Sequence, residues 1–324
     1  MGKFSDYAPA LKYGNKIYPE DIAGMLGLPS IGNVFYVDPG KSVSGGGRSA
    51  DDAFKTLAEA YAAMVADNDD VVIIAPTSST GRTTEAAAID WAKRRTHIIG
   101  NGPLRRGWNR AGVSFGSAVV SPCFTVSATN CSFTNIMFYV SNDINVLVNI
   151  SAAYNTFNFC HFAGIANATT GNDTAARDVV ITEADDTQFN NCMFGIDTIT
   201  NSAANALVEH IGNTAVARTQ YNNCLFSTTT DDAGVRWMLF TGAYSSEVYT
   251  ILTDCLLLNT RGGTTTMTVG LTVPASVNGR IIMNNCWWLG CTDLVDVVTN
   301  IYTNNPVVDA TGGDQGTLVV QANS

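Results

Sequence analysis

From residue 111 onward, apolar and polar positions come in short bursts that never hold a helical period, each bounded by Gly, Asn, Ser or Asp. Runs at 144–150, 179–183, 206–211, 237–240, 267–273 and 294–298 are rich in Val, Ile, Leu and Thr, which predicts one strand apiece. Between them a second pattern recurs: two polar residues, a cysteine, any residue, then an aromatic or Leu. It opens as Thr129-Asn130-Cys131-Ser132-Phe133, returns around Cys160, Cys192, Cys224 and Cys255, and closes as Asn284-Asn285-Cys286-Trp287-Trp288. These cysteines are 29, 32, 32, 31 and 31 residues apart.

A unit of about 31 residues with two or three short strands cannot bury its own apolar face, whereas stacked copies pair strand on strand at roughly 4.8 Å and enclose a continuous core. The expected fold is therefore all-β, a parallel β-helix. Period-two alternation turns Cys and the residue two positions later inward, giving a core column of Phe133, Phe162, Phe194, Phe226, Leu257 and Trp288. The cysteines become reduced, inert packing. Asn before each Cys suits a turn where side-chain amides stack and the backbone is left-handed. The intervening residues Ser132, His161, Met193, Leu225, Leu256 and Trp287 then face outward. Of these, Met193, Leu225, Leu256 and Trp287 form an apolar strip expected to be the subunit interface of a homotrimer.

Ahead of the repeats lie a strand-like Phe35-Tyr36-Val37-Asp38-Pro39-Gly40, a glycine loop at 45–47 and a helix with a capping box at Ser49 and Asp52. Phe54, Leu57, Tyr61 and Met64/Val65 give that helix its apolar face. Strands are expected at 70–76 and 96–102, with a helix over 84–95. No Gly-Lys-Ser/Thr follows the glycines, so they are turn residues rather than a phosphate loop. Residues 1–33 read as an arm with anchors Phe4, Tyr7, Leu11, Tyr13, Ile17 and Tyr18. The expected division is arm 1–33, capping region 34–110, coils 111–301, and a C-terminal cap or swapped strand at 302–324.

Charge narrows the partners. The chain carries −10 overall, but residues 1–110 hold 13 basic and 12 acidic groups while the remainder holds 5 and 16. An acidic body repels phosphate backbones, which argues against nucleic acid. The basic cluster Lys93, Arg94, Arg95, Arg105, Arg106 and Arg110 reads as a solvated helix face and loop. No stretch reads as a membrane helix and no signal-peptide core is visible, so neither a membrane partner nor export is expected. The cysteine spacing suits no metal, and no cofactor is expected.

The order of a Tyr-Val-Asp-Pro strand, a glycine loop, an Asp-Ala-Phe-Lys-Thr-Leu helix, a Val-Val-Ile-Ile-Ala-Pro strand and an Ile-Ile-Gly-Asn-Gly strand resembles the N-terminal capping region of pectin-lyase-like right-handed β-helix proteins. With the repeats, the resemblance covers roughly residues 34–300. It implies a right-handed parallel β-helix with short N-terminal capping helices. Members include polysaccharide lyases, hydrolases, bacteriophage tailspikes and phage capsid decoration proteins, so function depends on sites. The Gly-His-Gly and Arg-Ile-Lys motifs of some family enzymes are missing. His97, His161 and His210 are scattered, and the acids Glu183, Asp185, Asp186, Glu209, Asp231, Asp232 and Asp296 read as outward polar positions, even if Glu183 and Glu209 end comparable strands. The expectation is no enzymatic activity and no catalytic residue. The chain lacks room for a tailspike's head-binding and trimerisation domains. It is thus expected to be a capsid decoration (cement) protein of a tailed bacteriophage, docking through its arm on the major capsid protein at the virion surface after synthesis in the host cytoplasm. The alternative is a spike or fibre that binds or cleaves host-surface polysaccharide.

Overall fold

The computed structural model describes residues 19–28, 31–76, 82–108, 111–212, 218–242, 249–260, 265–273, 280–296 and 301–304. Its strands stack in three sheets, and every ladder between them is parallel. The front sheet has ten, in chain order from Val34–Val37, Asp70–Ile74, Thr96–Gly100, Ser132–Thr134 and Thr156–Asn158 to Ile301–Thr303. A side sheet runs from Arg82–Glu85 to Trp287–Leu289, and a back sheet from Ile89–Trp91 to Cys291–Val295. Each turn of the chain visits front, side and back in that order. This is a right-handed parallel β-helix, the hand that parallel crossovers take in almost all cases.

Strands of two to seven residues hold together because each pairs with the coil before and the coil after. Inside, rings stack at the strand spacing. Phe133, Phe157, Phe189 and Tyr221 follow one another at 4.8, 5.0 and 5.0 Å between centroids. A second column, Phe138, Phe162, Phe194 and Phe226, follows at 5.5, 5.1 and 4.7 Å, and the two columns meet edge to face. Cys160, Cys192, Cys224, Cys255 and Cys286 are buried free thiols beside them. Each Sγ donates to a carbonyl on the preceding coil, from Phe133 at 3.3 Å to Leu252 at 3.4 Å. Cysteine thus packs as a small apolar group and still has a weak donor satisfied.

The first repeat segment is out of step with the others. Phe138, not Phe133, continues the side-sheet column, and Phe133 belongs to the front column. Cys131 lies at the opposite corner, before the front strand, where its carbonyl accepts from Thr156 N at 3.0 Å. The true equivalent of the later cysteines is Ile136, whose carbonyl accepts from His161 N. A spacing of 29 where the rest are 31 or 32 was the trace of that slip. The helix expected over 84–95 is instead two strands, Arg82–Glu85 and Ile89–Trp91. Thr83, Glu85, Ile89 and Trp91 are buried in alternation, so parallel pairing overrides the helical preference of the alanines.

The capping helix is Leu57–Ala63, and its box is formed by Thr56 and Glu59 rather than by Ser49 and Asp52. Leu57, Ala60 and Met64 plug the first coil against Phe35, Val37, Val72 and Ile74. The buried Glu85 carboxylate accepts from Leu57 N at 2.9 Å and Ala58 N at 3.1 Å, tying the plug to the side sheet. Segment 34–110 therefore supplies both the cap and the first strands of all three sheets.

A second helix, Pro19–Leu26, lies on the outer face of the front sheet, with Ile22 buried against Val71, Ile73 and Ile99. This part of the arm is an intramolecular cover. The anchors Phe4, Tyr7, Leu11, Tyr13, Ile17 and Tyr18 and most of the C-terminal cap lie outside the described residues.

The proposed outward apolar strip is only partly open. Loop 101–108 folds over the side sheet, where Gly107 packs on Met193 and leaves it 5% exposed. Leu225 and Leu256 are half-buried, and Trp287 is 38% exposed. Met193 is thereby removed from any partner surface by the chain itself.

Candidate functional site

The outer face of the front sheet carries two columns of side chains. One runs His97, Ser132, Thr156, Gln188 and Gln220. The other runs Ile99, Thr134, Asn158, Asn190 and Asn222. Asn190 Nδ2 donates to Asn158 Oδ1 at 2.9 Å, and Asn222 Nδ2 to Asn190 Oδ1 at 2.8 Å. The ladder uses one N–H and one lone pair of the central amide, leaving a second of each.

Over the N-terminal half of this face lies a groove of about 940 Å³. Ile22 and Leu26 of the outer helix, with Leu104 of the loop after Gly100, form its apolar side. Its floor is His97, Ser132, Thr134, Thr156 and Asn158, and Tyr154 and Phe159 flank strand Thr156–Asn158. Both aromatics have left-handed backbone, φ 60° and 54°. At the corner leading to the side sheet, Asn135, Asn191, Asn223, Asp254 and Asn285 take the same conformation, φ 51° to 59°. Asn and Asp tolerate it and a bulky ring does not, so Phe159 is a strained exception in an otherwise Asn/Asp column. Tyr154 is 54% exposed.

At the floor, His97 Nδ1 lies 2.7 Å from Ser132 Oγ and His97 Nε2 lies 3.4 Å from Asp69 Oδ1. Arg95 grips the same carboxylate, Nε to Oδ1 at 3.1 Å and a second contact through its terminal nitrogen. Burial holds the His97 imidazole below its ordinary pKa, and Asp69 partly opposes that. The neutral form of His97 is thereby favoured.

The other histidines are structural. His161 accepts from Trp108 N at 3.1 Å through Nδ1 and donates through Nε2 to Gly195 O at 2.9 Å, and burial lowers its pKa to about 4. His210 hydrogen bonds Tyr221 at 2.9 Å and stacks on Phe240. Glu183 and Glu209 do not meet on adjacent coils. Glu183 sits on a turn at φ 53°, while Glu209 pairs with Val180 in the ladder and binds Arg177 Nε at 2.8 Å. Asp186 is paired with Arg218, and Asp185 lies beside it on that turn. Asp232 caps a turn, accepting from Gly234 N, Asp231 before it donates its backbone N–H to Asn201 O, and Asp296 accepts from Val273 N. The basic cluster is largely engaged: Lys93 binds the carbonyls of Tyr61, Ala62 and Met64, Arg94 binds Asp67, and Arg106 binds Asn223. Among the described residues no group of three His, Cys, Asp or Glu is arranged to hold a metal. No helix among them is long and apolar enough to cross a membrane.

Sequence reasoning placed Ser132 outward and His97 in a strand but did not join them, and it missed Asp69, Tyr154 and Phe159. Ser132 and His97 are 35 residues apart and meet only because one coil is longer than the repeat. The signal available was the exception itself, Phe159 where the neighbouring segments place Asn before Cys.

No family model and no curated protein sequence matches the chain. Similar solved structures include a pectin methylesterase from Aspergillus niger, 13% identical, covering 87% of this chain and 88% of that one with a TM-score of 0.46. A pectate lyase is 12% identical, covering 84% and 73% at 0.44. A pectin methylesterase from Erwinia chrysanthemi is 12% identical, covering 85% and 81% at 0.40. The expectation of no enzymatic activity is corrected by this company, since each of these neighbours is named as an enzyme. At such identities the likeness concerns the fold, and no activity passes from those proteins to this chain by likeness alone.

Proposed function

We propose that the front-sheet groove binds a host-surface polysaccharide of neutral or weakly charged sugars, the activity of a spike- or fibre-type β-helix. The observation that carries this reading is Phe159. A strained aromatic replaces the Asn or Asp used at the same corner of the other coils, and its position beside a hydroxyl- and amide-lined floor suits the apolar face of a sugar ring. Tyr154 offers a second ring on the opposite flank. From Ser132 to Asn158 the floor holds only hydroxyls and an amide, and the same two columns continue with amides to Gln220 and Asn222; their donors and acceptors match vicinal sugar hydroxyls. A polyuronate would require cations, and Arg95 and Arg218, which flank the front sheet, are bound to Asp69 and Asp186.

A capsid-docking role rests on anchors outside the described residues, and the part of the arm that is described forms a wall of the groove. The test is affinity electrophoresis through gels containing purified capsular or O-antigen polysaccharides. Retardation by at least one neutral glycan is expected, weakened about tenfold by Tyr154→Ala, roughly 1.4 kcal/mol for one lost stacking partner. Equal migration of wild type and variant in all glycans would overturn the reading.

A further inference from the structure

We infer that Ser132, His97 and Asp69 form a nucleophile, base and orienting acid that hydrolyse an O-acyl ester, the substrate being an acylated sugar hydroxyl of the glycan held in the groove. The inference deepens the saccharide-binding reading and, for its substrate class, rests on it.

The three groups come from consecutive coils. Asp69 precedes strand Asp70–Ile74, His97 lies in Thr96–Gly100, and Ser132 opens Ser132–Thr134, directly opposite His97 in the ladder. Ser132 Oγ to His97 Nδ1 is a full hydrogen bond at 2.7 Å. The 3.4 Å from Nε2 to Asp69 Oδ1 is long, as such contacts often are before substrate binds. If Nε2–H faces the carboxylate, the Nδ1 lone pair faces the serine hydroxyl. The ring is wired through the opposite nitrogens from the familiar serine hydrolase arrangement, and the proton logic is unchanged. Arg95 fixes Asp69 from the other side. His97 and Ser132 both line the groove, but His97 is buried and Ser132 only half-buried, so the nucleophile is the member that substrate reaches.

Ser132 Oγ attacks the ester carbonyl while its proton passes to His97 Nδ1. The tetrahedral adduct then expels the sugar oxygen, which takes that proton and leaves as the alcohol. Water next attacks the acyl-Ser132, giving its proton to Nδ1. Collapse releases the carboxylic acid and returns the proton to Ser132 Oγ. Thr156, the next residue of the outward column, is the side chain placed to donate to the transient oxyanion.

The test uses the full chain and two probes that need no glycan: a fluorophosphonate, located by peptide mass spectrometry, and p-nitrophenyl acetate. Phosphonylation at Ser132 is expected, together with hydrolysis that falls on the acid side with a midpoint below about 6.5, the ordinary imidazole value. Ser132→Ala is expected to abolish labelling and reduce hydrolysis at least 100-fold, with an unchanged melting curve. His97→Gln should lose the acid limb, and Thr156→Val should lower kcat more than it changes KM. Retained glycan binding without labelling, or hydrolysis indifferent to Ser132→Ala, overturns the relay and leaves the binding reading intact. Labelling and Ser132-dependent hydrolysis without retardation by any glycan support the relay and remove the saccharide as its substrate.

Discussion

The coils between residues 188 and 290 and those between 96 and 159 share the same three sheets but obey different rules. In the later stretch, front-sheet partners are 32, 31 and 31 residues apart from Phe189 through Tyr221 and Leu252 to Met283. Asn or Asp fills each left-handed corner there, and a cysteine follows it. In the earlier stretch the steps are 35 from Ile98 to Phe133 and 24 from Phe133 to Phe157. A loop leaves the solenoid to cover the side sheet, an aromatic takes the amide's place, and a serine, a histidine and an acid meet. Regular coils satisfy every level of the folding code together, and the departures gather where the groove is.

The sharpest way to break the comparison is to remove stability from the regular part. Phe189 touches both aromatic columns, stacking on Phe157 and Tyr221 and meeting Phe162 and Phe194 edge-on. Phe189→Ala should cost about 3–5 kcal/mol in urea unfolding, because close neighbours on several sides prevent collapse of the cavity. A loss under 1 kcal/mol would mean that the columns do not carry the fold.

A second effect, of a few kcal/mol, belongs to a departure from the repeat. Loop 164–176, with the short helical turn Ala168–Gly171, is held by Asp178, whose buried carboxylate accepts from Gly164 N and Ile165 N. Burial pushes its pKa up to about 7, against those hydrogen bonds. The unfolded chain loses this proton near pH 4, so between about 4 and 7 the folded state holds more protons and stability falls as pH rises. Asp178→Asn, which keeps an accepting oxygen, should unfold at higher denaturant than wild type at pH 8, and the difference should vanish near pH 4. A gap independent of pH would remove Asp178 as its source.

How much of this was legible follows from the same contrast. Five of the six β-rich runs proved to be back-sheet strands in chain order, the sixth meets the last back strand only at residues 294 and 295 and runs on to 297 and 298 outside the described residues, and five of the six cysteine segments mark the corner between front and side sheets, because stacking repeats a chemical requirement coil after coil. Cys131 misled because a Cys and a Phe two residues apart are equally at home before a front strand. Residues 84–95 misled because alanine-rich sequence favours a helix until neighbouring coils claim its backbone. His97 and Ser132 were read separately because only three-dimensional register joins them. Met193 was read as exposed because a loop from several coils earlier covers it.

Within the regular stretch, Cys192 adds little beyond its volume and a weak thiol donor to Phe157 O at 3.4 Å. Cys192→Ala should cost about 1 kcal/mol without loss of the fold. A much larger loss would give the thiol ladder a weight that the comparison does not assign to it.

The smallest stability effect decides most about the groove. Phe159 N already donates to Asn190 O at 2.8 Å, as Asn191 N does to Asn222 O, so the backbone at 159 is that of its amide-bearing equivalents. Phe159→Asn would place a residue tolerant of left-handed backbone there, beside Asn191, which already accepts from Asn223 at 2.6 Å. Relief of the strain should raise stability by about 1 kcal/mol, read as a higher urea midpoint at unchanged slope. The same change removes a groove wall and should weaken polysaccharide retardation about tenfold. A variant that is more stable and still binds would make Phe159 an accident of sequence. A variant that is less stable would mean that the ring contributes packing beyond its backbone strain, and the corner would then follow the rule of the regular coils after all.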